Sequence, residues 1–470
     1  MRQPARELQL QFSAIIQVAS TIQECFEAVG VKLHAHEYEK LSCFINQVYG
    51  TRNRAFHDVD HALDVGNGCA PITRLAALFH DVVYIQVDHS RLPELRAAFG
   101  VFNPGEALEL TLPTSEVIAR DPWRQALLTI FGFKPGQKLG VYSGINEILS
   151  AWVAVQKLQA HLTPKHLLQI IACIEATIPF RGEMEAPTMA ERLKPCVVDA
   201  FSLFGLNASK NEIDTIVTEA IHMANNDVIG FGMEEPEVFI YNSWALLYEN
   251  NPSLQNGLYS ITRYREPLQK LEAFLSNLSP KKIFNRYEQY PAEKELQNLR
   301  TGAARNIGVA KEYVRTKILD TTILEAFAMV SGGDCPMELF TGPKPKTREF
   351  TTARIEHFLD WTTITRHKAG KDEKVIRLLN SGRAGRSKFD VKTALFAAYI
   401  YLGLSREEFD QAYASAIEFS KGQLSADNFL NTLPDPIVNH IGEVLCQMAW
   451  TRRDAIQVFL KAKKKMKRVA

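Results

Sequence analysis

Ala55-Phe56-His57-Asp58-Val59-Asp60-His61 and, after a short break, Leu75-Ala76-Ala77-Leu78-Phe79-His80-Asp81-Val82-Val83-Tyr84 are the stretches from which the rest of the chain is read. The His-x-x-x-His spacing is expected to set two imidazoles one turn apart on a single helix face, aimed at a common point. In the second stretch an imidazole and a carboxylate stand side by side inside an apolar run, where an uncompensated charge is costly. A divalent cation would compensate both groups at once. Nitrogen ligands combined with a hard carboxylate suit zinc, manganese, iron or nickel better than an all-oxygen calcium cage.

The surrounding composition is that of an ordinary globular protein. The 470 residues are 46% hydrophobic and 23% charged, enough for two or three domains with sizeable cores. A formal net charge of +1 gives the whole molecule no bias toward nucleic acid or an anionic membrane, so a charged substrate must be handled locally. The seven cysteines are scattered and never form Cys-x-x-Cys, which argues against a disulfide framework or a thiolate zinc site and makes a reducing cytoplasm the expected compartment. Met1 to Gln11 carries both charge signs without a signal-peptide core, and no window approaches the ~20 apolar residues of a membrane span.

Strand-like alternation is scarce, and the expected fold class is all-α. Residues 6 to 50 read as two amphipathic helices, with Leu8, Leu10, Phe12, Ile15, Ile16, Ala19 and Ile22 on one stripe and Tyr38, Leu41, Phe44, Ile45 and Val48 on the other. Residues 100 to 140, with Pro104, Pro113, Pro122 and Pro135, read as a looped excursion. Helical patterns resume at 144 to 177, 186 to 203, 209 to 226, 237 to 250 and 264 to 277. The Gly/Pro-rich stretch 331 to 352 reads as a linker. The expected organisation is a metal-site domain over 1–300, a helical extension and linker over 301–345, and a C-terminal helical region over 346–470 whose role the sequence leaves open. The closing run Lys461 to Arg468 reads as a solvated helix end, and nucleic acid is not an expected partner.

Phe56-His57-Asp58-x-x-His61 with Phe79-His80-Asp81-x-x-Tyr84 resembles the histidine and His-Asp motifs of the HD-domain superfamily of metal-dependent phosphohydrolases. The form of the first motif, followed by Asp64-Val65, is similar to the all-helical branch that includes class I cyclic-nucleotide phosphodiesterases and small bacterial relatives. Asn146-Glu147-Ile-Leu-Ser150-Ala151 and Ala176-Thr177 echo bacterial members, so the resemblance covers roughly residues 38 to 250. It implies an HD-type helical bundle, and it makes His61, His80 and Asp81 metal ligands. Asp81 would bridge two divalent ions (zinc, manganese, iron, nickel or magnesium). It also implies that His57 protonates the leaving oxygen, with Asp58, Asp60 or Glu147 holding its proton. Direct ligation by His57, or an inert structural role, stays open.

The superfamily also implies a late aspartate from a downstream helix. The pattern falls on Asn225, a poor metal ligand, and Asp227 is the favoured ligand instead. Because Asp227 lies two residues on, roughly 200° around an ideal helix, it reaches the same point only where the helix ends, and Gly230 and Gly232 make an end there plausible. His222 reads as a packed residue. Arg52 and Arg54 are candidate phosphate contacts, Arg181 and Glu183 candidates for the substrate mouth, and Asp88 and His89 a loop beside the site. Gly382 to Ser387 lacks P-loop spacing and reads as a basic turn. The activity so implied is hydrolysis of a small phosphoester, a cyclic nucleotide or other nucleotide phosphodiester, through metal-activated water. The alternatives are a nucleotide mono- or triphosphate phosphohydrolase and a non-catalytic nucleotide-binding or regulatory protein. Oligomeric state is not encoded in these motifs.

Overall fold

The structure, a computed structural model, describes residues 13–88, 99, 101–104, 108–140, 143–180, 187–343 and 353–469. These residues are helical almost throughout, so the fold is all-α. The chain forms two compact units: Met1–Gly232 with Ser279–Thr301, and Met233–Leu278 with Gly302–Ala470. Among the described residues no helix is long and apolar enough to cross a membrane.

The first unit contains α1 (Ala14–Ala28), α2 (Ala35–Tyr49), α3 (Val59–Val65), α4 (Pro71–Phe79), α5 (Pro122–Phe131), α6 (Ile145–Leu158), α7 (Pro164–Ala176), α8 (Met189–Leu203) and α9 (Lys210–Asp227). At its centre is α7, against which α4, α5, α6, α8 and α9 all pack. The reason is in its sequence: Leu167, Leu168 and every residue from Ile170 to Ala176 are buried, so apolar surface runs around the whole cylinder instead of along one stripe. Burying each such aliphatic side chain contributes about 1.5–3 kcal/mol, which makes α7 the anchor for the helices that carry the motifs. Local signals set their ends. Pro71 occupies the first turn of α4, and α9 opens with a capping box in which Ser209 accepts from the Glu212 amide and Glu212 from the Ser209 amide.

Two expectations shift. In α1 the buried side chains are Val18, Ile22, Cys25 and Phe26, whereas Ile15 and Ile16 are exposed; Leu8, Leu10 and Phe12 lie outside the described residues. The stretch 100–140 is more than a loop. It holds α5 and a small antiparallel sheet of β1 (Val101–Pro104), β2 (Leu108–Thr111) and β3 (Lys138–Leu139) in that order.

The second unit contains α10 (Pro236–Asn250), α11 (Ile261–Asn277), the part of α12 (Glu293–Val330) beyond residue 301, α13 (Glu373–Ser381), α14 (Leu395–Gly403), α15 (Arg406–Ser420), α16 (Ala426–Thr432), α17 (Asp435–Met448) and α18 (Arg453–Val469). In α12, Asn306, Thr316, Lys317, Asp320, Thr321, Thr322 and Glu325 are all buried. Their charges are matched nearby: Glu325 pairs with Arg265 of α11, and Lys317 with Asp320 at 2.9 Å. In the 382–387 turn, Arg383 is fully buried over the Trp244 ring and bonded to the Tyr313 hydroxyl at 3.0 Å, so it faces protein. Gly385 has a steric reason, since a Cβ there would sit 2.6 Å from the Tyr241 ring. In α18, Lys461, Lys464 and Lys465 are exposed, while buried Lys463 donates to the Leu430 carbonyl at 3.0 Å.

Candidate metal centre

The first motif does not lie on one helix. Asp58 is the N-cap of α3, its carboxylate accepting the His61 amide at 3.0 Å, so His57 precedes the helix and His61 sits in its first turn. The two rings still meet edge to face with centroids 5.7 Å apart, because the chain turns sharply into the cap. Phe56 packs on both imidazoles, and Tyr84 lies 4.2 Å from the His57 ring.

His80 caps the C-terminus of α4 and is 1% exposed. Its Nδ1 lies 2.7 Å from the Ala77 carbonyl, a contact that assigns the Nδ1 proton to that bond and turns the Nε2 lone pair inward. Asp81 follows at once, and its Oδ2 lies 2.9 Å from His80 Nε2 and 3.8 Å from Nε2 of both His57 and His61. Asp227 is the last residue of α9, so the helix end frees its side chain to turn toward the same point. Its Oδ1 is 3.2 Å from His61 Nε2 and 3.5 Å from His80 Nε2. The ligand atoms of His61, His80, Asp81 and Asp227 all lie within 4.8 Å of one another.

The donor set fits a divalent cation. Nε2 of His61 and of His80 is buried and, among the described residues, meets no acceptor with hydrogen-bond geometry, although carboxylate oxygens stand close. Two imidazole lone pairs and two carboxylates aimed at one point are what a cation requires. The electrostatics agree. Burial would raise Asp81 and Asp227, but the imidazoles hold Asp81 far below the usual carboxylate range and Asp227 down to about 2. Burial would depress His80, yet the two carboxylates outweigh it and hold its pKa well above the ordinary value. Without a cation, a proton on His80 supplies the positive charge that these acids demand.

Supporting side chains fix the geometry. The Arg54 guanidinium, with no exposed surface, donates to the Asp81 carbonyl at 2.8 Å, to the His57 carbonyl at 3.2 Å and to the Asp88 carboxylate at 2.8 Å. Asp88 in turn accepts the Tyr84 amide at 2.9 Å. Arg54 therefore ties the two motifs together from behind and is not presented to a substrate, whereas Arg52 is exposed. The downstream echoes act the same way. Asn146 accepts the Ile85 amide at 3.0 Å and Ser150 the Val83 amide at 3.0 Å, which fastens the strand of chain after Asp81 to α6. Glu147, between them, is half-buried in the first turn of α6, and Asp60 is exposed.

Asn225 exchanges two hydrogen bonds with the Asn285 backbone, at 2.8 and 2.9 Å, and so takes no place in the cluster. Asn226 donates to the carbonyls of Val65 and Asn67, locking the end of α9 onto the turn after α3. His222 packs against Tyr290. His89, Arg181 and Glu183 lie outside the described residues. Sequence reading missed the clamp formed by Arg54 and Asp88, and the seat of His57 on Tyr84. No local signal marks either, since their members are 27 or more residues apart. No family model, curated protein or solved structure matches this chain.

Proposed function

We propose that this chain is a metal-dependent phosphoric ester hydrolase acting on a cyclic nucleotide or another nucleotide phosphodiester. The observation that carries this reading is the meeting of His61, His80, Asp81 and Asp227, from three helix ends, within 4.8 Å, with His57 Nε2 3.8 Å from Asp81. His61 and His80 would hold a divalent cation through Nε2, and Asp81 and Asp227 through their carboxylates. Asp81, whose carboxylate lies near the imidazoles of both motifs, would be the residue shared with any second ion. When bound, the cation supplies a Lewis acid that lowers the pKa of water and offsets charge on phosphoryl oxygens.

The chain's own residues supply the rest. His57 stands outside α3 at the edge of the cluster, 13% exposed and seated between Phe56 and Tyr84, where it can deliver a proton to a departing alkoxide. Asp58 acts through the helix cap, holding His61 in register, so Glu147 is the proposed carboxylate for the His57 proton. The mono- or triphosphate reading needs extra cationic groups beside the phosphate. The inward engagement of Arg54 weighs against it.

The test has two arms. Elemental analysis of protein purified without chelator is expected to find stoichiometric divalent transition metal, lost in His80→Ala and Asp81→Ala. Products from a cyclic dinucleotide and cyclic mononucleotides are expected to show phosphodiester cleavage to a phosphomonoester, with deoxynucleotides left intact. Release of phosphate, pyrophosphate or triphosphate would favour the second reading, and tight nucleotide binding without turnover a regulatory role. Metal-free protein whose behaviour neither substitution changes would end the proposal.

A further inference from the structure

The outer face of α18 takes no part in the metal chemistry. Ile456, Phe459 and Leu460 seat the helix on the second unit, all three buried, with the Phe459 ring edge to face with Phe327 at 6.0 Å. Its other side is therefore held outward. At about 100° per residue, the exposed Arg453, Lys461, Lys464 and Lys465 fall within an arc of about 120° on that side. Asp454 is the one acid among the described exposed residues of the helix. Lys463 turns inward to the Leu430 carbonyl at 3.0 Å and to Asp435 at 3.3 Å. By contrast, Lys461, Lys464 and Lys465 have no ion-pair or hydrogen-bond partner among the described residues.

Apolar surface is exposed at the same place. Trp450, in the single turn Trp450–Arg452 that leads into α18, is 78% exposed, and Val458, at the edge of the basic arc, is 67% exposed. No other large hydrophobic residue among those described is exposed as much. The turn is not a loose end. Arg452 donates to the Ala328 carbonyl at 2.9 Å and the Gly333 carbonyl at 2.6 Å, which fastens it to the end of α12, where Met329 is also half-exposed. An indole is usually a large contributor of buried area, so one held into water on an anchored turn is available to a partner.

The pairing of lysines with exposed aromatic and aliphatic carbon narrows the choice of partner. A second copy of the chain would set lysines against lysines. Nucleic acid would satisfy the charges and could stack on Trp450, yet it would leave Val458 and Met329 in water. An anionic bilayer surface meets all of them, because its headgroups attract ammonium groups and its interfacial layer accepts an indole and aliphatic side chains. We propose that this face of the second unit docks on a membrane surface rich in anionic phospholipid, with Trp450 and Val458 entering the interface and Lys461, Lys464 and Lys465 lying over the headgroups. Lys467 and Arg468 continue the basic run in the sequence. A formal net charge of +1 gives the whole molecule no pull toward such a surface, so the attraction belongs to the patch.

The proposal is independent of the metal site and is tested on the full chain by vesicle flotation. Phosphatidylcholine vesicles containing about one-third phosphatidylserine are expected to bind the protein at least about tenfold more tightly than phosphatidylcholine alone, with the difference shrinking as salt rises. A lysine near an anionic surface adds about fivefold to partitioning, so Lys461→Gln, Lys464→Gln and Lys465→Gln combined should lower it about 100-fold. Trp450→Ala should lower it about tenfold. All four side chains are exposed, so unchanged urea midpoints are expected and separate lost docking from lost fold. Lys368→Gln, Lys374→Gln and Lys392→Gln combined remove the same charge from exposed positions elsewhere on the second unit, and should leave partitioning within about twofold. An equal loss in that control would mean diffuse attraction and overturn the proposal. Several other results overturn it as well: no preference for the anionic vesicles, an unaffected α18 triple variant, an unaffected Trp450→Ala, or tighter binding to a DNA or RNA oligonucleotide than to the vesicles.

Discussion

Two regions of this molecule bury charge, and they do so in opposite ways. Around Asp390 in the second unit, each charged group faces its complement. The Asp390 carboxylate takes hydrogen bonds from Tyr264, Trp244 and the Val391 amide beside Arg383, and nearby Glu325 is held by Arg265 and the Thr262 hydroxyl. Around Asp81 in the first unit, acceptors crowd on acceptors: two carboxylates and two buried Nε2 atoms point at one place. The first arrangement sets each charge against an opposite one and reads as architecture. The second is complete only with a positive charge added, and that incompleteness separates a candidate site from a buried network. Burial alone would not tell them apart, since Arg383 and His80 are both almost fully enclosed.

The largest effect that would sharpen this contrast is functional. His80→Ala and Asp81→Ala each remove a cation ligand and should lower phosphoester hydrolysis by about 10³-fold or more, given how much of such a rate rests on charge balance at phosphorus. Activity and bound metal are to be measured on the same preparations. Chelator-treated protein carrying Asp81→Ala should stay folded while losing the stability that the carboxylate's attraction to the imidazoles contributes. A loss of fold together with function would erase the distinction.

The reciprocal substitution belongs to the other region. Asp390→Ala leaves the Arg383 guanidinium buried without its acid, a change that costs about 3–5 kcal/mol. Urea denaturation should show that loss, while metal content stays at the level of the unsubstituted protein. Metal loss in Asp390→Ala would mean that the two regions are not separable by charge logic.

Much of this was legible in the chain, and the reasons differ by residue. His61, His80 and Asp81 could be read because ligands close in sequence carry a spacing signal. Asp227 could be read only through the helix end, and α9 does stop there. The cap formed by Asp58 was within reach of sequence rules, yet the histidine spacing suggested a continuous helix and masked it. Asn225 owes its place to the Asn285 backbone 60 residues away, and no periodicity reports such a pairing. Of the 38-residue α12, the part beyond 301 was read as a helical extension, but its start at Glu293 and its continuity were not: its buried face carries Asn306, Lys317, Asp320 and Glu325, which blur the apolar stripe, and Gly302 and Gly308 lower its helical propensity. The small sheet over 100–140 was obscured by prolines, which signal turns more strongly than four-residue strands signal pairing.

A smaller effect probes how far the first region depends on support from behind. Arg54→Lys keeps the charge but loses the fork that reaches the Asp81 carbonyl, the His57 carbonyl and Asp88 together. Metal affinity should fall about 10- to 100-fold, the range typical of groups that orient ligands without touching the ion. A competitive chelator titration reads it. An unchanged affinity would show that α3 and α4 hold the ligands without the clamp.

The gentlest test is pH, and its sign follows from the charges. In metal-free protein His80 is held well above its ordinary value of 6.5 by the two carboxylates, so its favourable interaction is fully present below that value and is lost as pH rises through the raised one. Asp227, lowered from 3.8 to about 2, contributes stability above 3.8 that is lost as pH falls toward 2, and Asp81 shifts in the same direction. Chelator-treated protein should therefore owe most stability to this cluster between those two ordinary values, with weaker urea midpoints on both sides. Cation binding must expel the His80 proton, so metal affinity should rise with pH by about tenfold per unit for each proton released, until the raised value is passed. Calorimetry in two buffers of different ionisation enthalpy counts that proton directly. A flat affinity between pH 6 and 8 with no proton release would mean that the ion does not displace a proton from His80, and the first region would then resemble the second.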